Sequence, residues 1–104
     1  MKKTFGVNLK IIILAAGEGK RLRPLTSERP KCLVDLFGKS ILEWQFDAFK
    51  KYNITDISIV TGYRKEMITF PNITYFENPK YSTTNMVETL FCAKDKLQDS
   101  VIVS

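Results

Sequence analysis

The feature that most constrains this chain is the junction at residues 14–26. A nearly unbroken apolar run, Leu9 to Ala16, breaks into Gly17-Glu18-Gly19 and then into Lys20-Arg21-Leu22-Arg23-Pro24-Leu25-Thr26. An apolar run without alternation is how a parallel strand covered on both faces reads in sequence. Glycines at its exit permit left-handed turns and close backbone approach, and successive N–H groups in such a turn form a concavity for an anion. This junction predicts an open α/β sheet whose ligand sits beyond the carboxyl end of its first strand.

Charge placement sharpens that expectation. Residues 1–31 carry eight Lys/Arg (Lys2, Lys3, Lys10, Lys20, Arg21, Arg23, Arg29, Lys31) against Glu18 and Glu28, while residues 32–104 carry eight against nine acids. The whole net charge of +5 is therefore generated beside the glycine turn. A surplus focused on one loop fits a small polyanion better than a nucleic acid or an anionic membrane. Aromatic residues do not interleave with the basic loop as a single-strand stacking platform requires.

At 104 residues, with 44% hydrophobic and 12% aromatic residues, the chain can build a core. It is also near the size where burial only just offsets chain entropy. It has no histidine, and its two cysteines, Cys32 and Cys92, lack CxxC spacing. Zinc sites and Ser/His or Cys/His nucleophile pairs built from this chain alone are excluded. The cysteine usage predicts a reducing cytoplasm. Met1-Lys2-Lys3 ahead of an apolar run superficially resembles a signal peptide. The run leads into Gly-Glu-Gly-Lys-Arg rather than a small-residue cleavage site, so it reads as a buried strand. No stretch is long enough to span a membrane.

Residues 17–39 have no periodicity and read as a loop. Ser40-Ile41-Leu42-Glu43 is a capping box that starts a helix, with Ile41, Leu42, Trp44, Phe46, Ala48 and Phe49 as its apolar face and a stop near Tyr52-Asn53. Ile57 to Thr61 reads as a second strand ended by Gly62, Arg64 to Ile68 as a short helix, and Ile73 to Phe76 as a third strand. After a polar connection over 77–84, Asn85 with Glu88 offers a second cap for a helix carrying Met86, Leu90, Ala93 and Leu97. Val101 to Val103 is a fourth strand, and Trp44, Met86 and Phe91 are assigned to core packing. Strands alternating with helices predict a parallel sheet with right-handed crossovers. No repeat, low-complexity tract or linker divides residues 1–104.

Two familiar phosphate motifs are absent. A Walker A loop needs Ser/Thr after Gly19-Lys20, where Arg21 stands, and a dinucleotide fingerprint needs glycine at the position of Leu22. The order of residues is nevertheless specific. Leu14-Ala15-Ala16-Gly17-Glu18-Gly19-Lys20-Arg21-Leu22-Arg23-Pro24-Leu25-Thr26, followed by Pro30-Lys31 and Leu33, is similar to the signature L-A-A-G-x-G-x-R-L-x-P-L-T…P-K-x-L of the nucleotidyltransferases that make nucleotide-activated sugars and head groups. Gly38-Lys39-Ser40-Ile41-Leu42-Glu43 resembles that family's G-K-P-I-L-E, with serine in place of proline.

The resemblance implies a Rossmann-like three-layer α/β/α fold with a mainly parallel sheet, truncated after about the fourth strand. It implies transfer of a nucleoside monophosphate from a nucleoside triphosphate to a phosphorylated acceptor, with release of pyrophosphate. By the same resemblance Arg21 contacts the pyrophosphate leaving group, and Lys31 bridges the α-phosphate and the acceptor phosphate. Ala15, Ala16 and Gly17 lie along the base and sugar, Gly17, Glu18, Gly19 and Lys20 surround the triphosphate, and Leu14 counts among the nucleotide-binding residues.

The segment from Asn78 to Leu90 points to one branch. Lys80, Tyr81, Asn85, Thr89 and Leu90 resemble the N-x-K-Y…N…S/T-L pattern of cytidylyltransferases acting on small phosphorylated head groups such as phosphocholine. CTP is then the expected nucleotide, with Asn85 either reading the pyrimidine edge, as an amide can, or serving simply as a helix cap. Tyr81 and Thr84 are candidate head-group contacts. A sugar 1-phosphate enzyme using UTP, dTTP or GTP, and a non-catalytic nucleotide-sensing module, are the alternatives. The expected cofactor is Mg²⁺, and the resemblance places its aspartate ligand just after Ser104. Residues 1–104 are thus expected to be the N-terminal nucleotide-binding part of a longer domain, inactive alone, with the remainder of that domain or a second copy as partner.

Overall fold

The computed structural model describes residues 9–97 and the backbone of residues 101–103. The readings placed on Met1-Lys2-Lys3 and on Ser104 lie outside the described residues. The regular elements are β1 (Lys10–Ala15), β2 (Asp35–Leu36), β3 (Lys39–Ser40), α1 (Ile41–Lys51), β4 (Asp56–Thr61), β5 (Thr74–Glu77), α2 (Met86–Phe91) and β6 (Val101–Val103). Four of the strands form one parallel sheet in the order β5-β4-β1-β6. Ile11 pairs with Ile57 on one side and with Ile102 on the other. The four strands read from sequence are these four.

The period-two geometry of a strand explains why β1 is apolar throughout. Ile11, Ile13 and Ala15 face Leu42, Ile59 and Ile68, with Phe46 and Phe49 of α1 packed on them. Ile12 faces Val60 and Ala93, with Leu90 of α2 against them. Both faces of β1 are covered, which makes the three layers. Ile11, Ile12 and Ile13 are almost completely buried, and each contributes about 1.5–3 kcal/mol of transfer free energy. After β1 the chain steps to β4 and β5 on one side, then crosses by α2 to β6 on the other. The direction of winding therefore reverses at β1, and the loop leaving β1 stands at the topological switch point.

Both capping boxes are formed. The Ser40 hydroxyl accepts from the Glu43 backbone N–H, and the Ser40 N–H donates to the Glu43 carboxylate. The backbone and hydroxyl donors of Ser40 hold the Glu43 carboxyl below its usual range. Asn85 and Glu88 make the same exchange at the start of α2.

Three expectations are corrected. Residues 17–39 are not a plain loop: they hold 3-10 turns at Lys20–Leu22 and Lys31–Leu33 and the hairpin β2–β3. That hairpin turns through Phe37 and Gly38, both at positive φ, the geometry a two-residue hairpin with matching twist demands. The second helix ends at Phe91, and a 3-10 turn follows at Lys94–Lys96. Finally, Trp44, Met86 and Phe91 are exposed rather than in the core. The inward stripe of α1 is Leu42, Phe46 and Phe49, at helical spacing, and Trp44 falls between its members. The Trp44 indole N–H donates to the Leu36 carbonyl at 2.6 Å, and the Lys39 ammonium lies 4.1 Å from the ring centroid. On α2 the inward residues are Thr89, Leu90 and, beyond the helix, Ala93, so Met86 and Phe91 face outward.

Candidate active site

The exit from β1 is built around one carbonyl. Gly19 adopts φ 62°, ψ 40° and caps the turn Lys20–Leu22. Its carbonyl oxygen accepts from the Leu22 N–H at 3.0 Å and from the Thr26 hydroxyl at 2.6 Å. Thr26 is fully buried. The turn bearing Lys20 and Arg21 is thereby pinned from both sides, with both of those side chains exposed. Lys31 opens the next turn, after a fully buried Pro30 at φ −64° that fixes the backbone entering it.

Two clefts meet at this loop. One, of about 300 Å³, is lined by Ile13, Leu14, Ala15, Gly17, Gly19, Lys31, Cys32, Ile41 and Gln45. The other, of about 520 Å³, is lined by Glu18, Gly19, Lys20, Arg21, Leu22, Lys31, Tyr81 and Ser82. Gly19 and Lys31 belong to both. Of the residues singled out from sequence, Leu14, Ala15, Gly17, Glu18, Gly19, Lys20, Arg21, Lys31 and Tyr81 are brought together here. Ala16, Thr84 and Asn85 line neither cleft. Ala16 is buried, with its carbonyl accepting from the Tyr63 N–H at 2.9 Å.

The two glycines of the loop differ. Gly19 holds a left-handed backbone. Gly17 does not, and a Cβ built on it meets nothing within 4 Å. The protein's own packing therefore leaves open the space beside Gly17.

The electrostatics are uneven. Arg23 pairs with Glu18 at 3.3 Å, Lys65 with Glu77 at 2.8 Å and Lys96 with Asp56 at 3.2 Å, and Lys39 pairs with Asp47. Among the described residues, Lys20, Arg21 and Lys31 form no ion pair. Three uncompensated cations on two adjoining clefts attract a multiply charged anion, and preorganised charge is strongest where walls exclude water. Cys32, at the floor of the first cleft, is not part of that chemistry. Burial pushes its thiol up to about 11, away from the thiolate.

The positioning roles of two residues escaped sequence reasoning. Asn78 is 3% exposed. Its amide donates to the Thr84 and Thr89 hydroxyls at 2.8 and 3.0 Å, and its side-chain oxygen accepts from the Lys80 N–H at 3.0 Å. It thus ties the turn bearing Tyr81 to α2, and it takes up the Thr84 hydroxyl, which also donates to the Lys80 carbonyl. Tyr63 is the other. Its hydroxyl lies 2.8 Å from the Thr26 carbonyl and 2.9 Å from the Ser27 carbonyl, across 36–37 residues of chain. No local pattern signals a contact of that separation.

A parallel sheet covered on both faces, with a glycine- and cation-rich loop at its switch point, places this chain among Rossmann-like α/β proteins. It belongs to the nucleotidyl transferase family, whose sequence model matches residues 10–97. It is 42% identical over 92 residues to the CTP:phosphoglutamine cytidylyltransferase of Campylobacter jejuni, covering 84% of this chain and 36% of that protein. The solved structure of the CTP:phosphocholine cytidylyltransferase of Streptococcus pneumoniae superposes with a TM-score of 0.85 at 39% identity, covering 93% of this chain and 45% of the other. A UTP–glucose-1-phosphate uridylyltransferase from Haloferax volcanii is 43% identical over a shorter stretch of 60 residues, 58% of this chain and 25% of that protein. The chain thus spans less than half the length of the relatives it matches.

Proposed function

We propose that the protein is a cytidylyltransferase that moves CMP from CTP to the phosphate of a small phosphorylated head group, and that this chain is the nucleotide-binding part of it. The observation that carries this reading is the set of unpaired cations, Lys20, Arg21 and Lys31, around clefts that share Gly19 and Lys31. An acceptor phosphate oxygen attacks the α-phosphorus in line, the bond to the bridging oxygen breaks, and pyrophosphate departs. No covalent enzyme intermediate is needed, so these residues contribute placement and charge. Arg21 offers forked donors to the departing pyrophosphate. Lys31, on both clefts, reaches the α-phosphate and the acceptor phosphate. Gly17 lets the nucleotide approach the main chain, with Leu14, Ala15 and Ala16 along base and sugar and Glu18 turned to Arg23. Tyr81 contacts the head group, Thr84 shapes its turn, and the Asn85 amide N–H₂ reads the base edge while its oxygen caps α2.

Among the described residues no group of three or more His, Cys, Asp or Glu side chains is placed to hold a metal ion. Magnesium, expected on resemblance, needs no such group, since it is ordinarily held by one or two carboxylates together with the substrate's phosphates. A cytoplasmic location is part of the proposal, supported by two free cysteines. Among the described residues no helix is long and apolar enough to cross a membrane.

The likeness to the Haloferax volcanii enzyme favours a second reading, a sugar-1-phosphate uridylyltransferase. Assaying pyrophosphate release by the intact protein, with CTP, UTP, dTTP and GTP against phosphorylated head groups and sugar 1-phosphates, separates the two. Turnover with CTP and a head group is expected. Turnover confined to UTP and a sugar phosphate selects the second reading, and none with any pair sinks both.

A further inference from the structure

The loop that carries Arg21 is closed by a residue outside it. Tyr63 follows β4, the strand next to β1. Its backbone N–H donates to the Ala16 carbonyl at 2.9 Å, where the loop begins. Its hydroxyl meets the Thr26 and Ser27 carbonyls at 2.8 and 2.9 Å, where the loop's first turn ends. From Thr26 the connection continues through its hydroxyl to the Gly19 carbonyl at 2.6 Å, and from there to the Leu22 N–H at 3.0 Å. One residue thus spans both ends of 16–27, and its hydroxyl is two hydrogen bonds from the turn that presents Arg21.

We infer that Tyr63 is a positioning residue for triphosphate binding: its hydroxyl clasps the end of the 16–27 loop and so fixes where Arg21 is held. The inference rests on the reading of Arg21 as a phosphate ligand. A loop of this length without a clasp samples many placements, and a donor held an ångström out of place loses much of its effect. Phenylalanine at 63 keeps the ring, its edge contact with Tyr81 (centroids 6.1 Å apart) and the backbone bond to Ala16, and removes only the hydroxyl.

The test is CTP affinity, measured by titration calorimetry on the intact protein with magnesium present, for wild type, Tyr63→Phe, Arg21→Ala and the double variant, with a thermal melt of each. Loss of one hydrogen bond's worth of preorganisation weakens CTP about fivefold in Tyr63→Phe. In the Arg21→Ala background the same change has almost no effect, because residues acting through one element are not additive. Equal affinity of wild type and Tyr63→Phe overturns the inference and leaves the functional reading standing. So does an undiminished loss in the Arg21→Ala background. A collapsed melting midpoint in Tyr63→Phe overturns it as well, since the hydroxyl would then be holding the fold. Wild type that binds no nucleoside triphosphate removes both the inference and the reading beneath it.

Discussion

The Thr26 hydroxyl donates to the Gly19 carbonyl at 2.6 Å, and a Cβ placed on Gly19 would lie 2.9 Å from Thr26 Cγ2. The two residues lock each other. Thr26→Val keeps the shape and leaves the Gly19 carbonyl with the Leu22 N–H as donor, at a cost of about 0.5–1.5 kcal/mol for the lost hydrogen bond. Gly19→Ala forces a left-handed alanine, about 1–2 kcal/mol, and displaces Thr26 besides. Denaturant melts should show both variants destabilised, with Gly19→Ala the worse.

Gly17 and Gly62 make a contrasting pair. A Cβ at Gly62 would lie 2.8 Å from Tyr81 Cβ and 3.0 Å from both the Cβ and the carbonyl oxygen of Ala16, whereas one at Gly17 meets nothing within 4 Å. Gly62→Ala should lower stability by about 1–3 kcal/mol through overpacking. Gly17→Ala should leave the melt within about 0.5 kcal/mol of wild type and weaken nucleotide binding, since only a ligand would occupy that space. Full CTP affinity in a stable Gly17→Ala protein would show that the main chain there is not approached.

Arg21 and Lys31 are exposed and, among the described residues, carry no counter-charge. Their removal should therefore spare the fold and strike the chemistry. Arg21→Ala and Lys31→Ala should each cut kcat by about 10²–10³ in the intact protein, as does loss of a preorganised charge donor elsewhere, with melting midpoints near wild type. Steady-state kinetics decide, and near-normal turnover in both variants would remove them from the mechanism.

Cys32 gives a pH prediction. Burial raises its folded value from the usual 9.0 to about 11. The folded state then retains the proton longer than the unfolded chain. This contribution to stability is present in full below the unfolded value and is lost as pH rises through the folded one. Cys32→Ala should therefore flatten the fall in stability between about pH 9 and pH 11. In the wild type, half-buried Cys92 should react with a thiol reagent at neutral pH well before Cys32, which should react only on unfolding.

Local rules carried the elements a long way. A nearly unbroken apolar run gave β1, and Ser40/Glu43 and Asn85/Glu88 gave two helix starts, because an apolar run and a helix cap are made by residues close together in the chain. The same rules failed on the helix faces. Trp44, Met86 and Phe91 are apolar, yet whether a face is covered depends on what lies opposite, and Asn78 turns Thr89 inward instead. The hairpin β2–β3 escaped because its strands are two residues long, too short for periodicity.

By itself the sequence determined that the chain pairs an apolar strand with a glycine turn and a cluster of cations, since composition and order within a dozen residues suffice for that. Only the tertiary structure decided which cations stay unpaired, that Lys31 returns to share both clefts with Gly19, and that Tyr63 and Asn78 fasten the loops around them. Those outcomes arise from hydrogen bonds and ion pairs between residues far apart in the chain, whose partners are set by how the parallel sheet orders its strands.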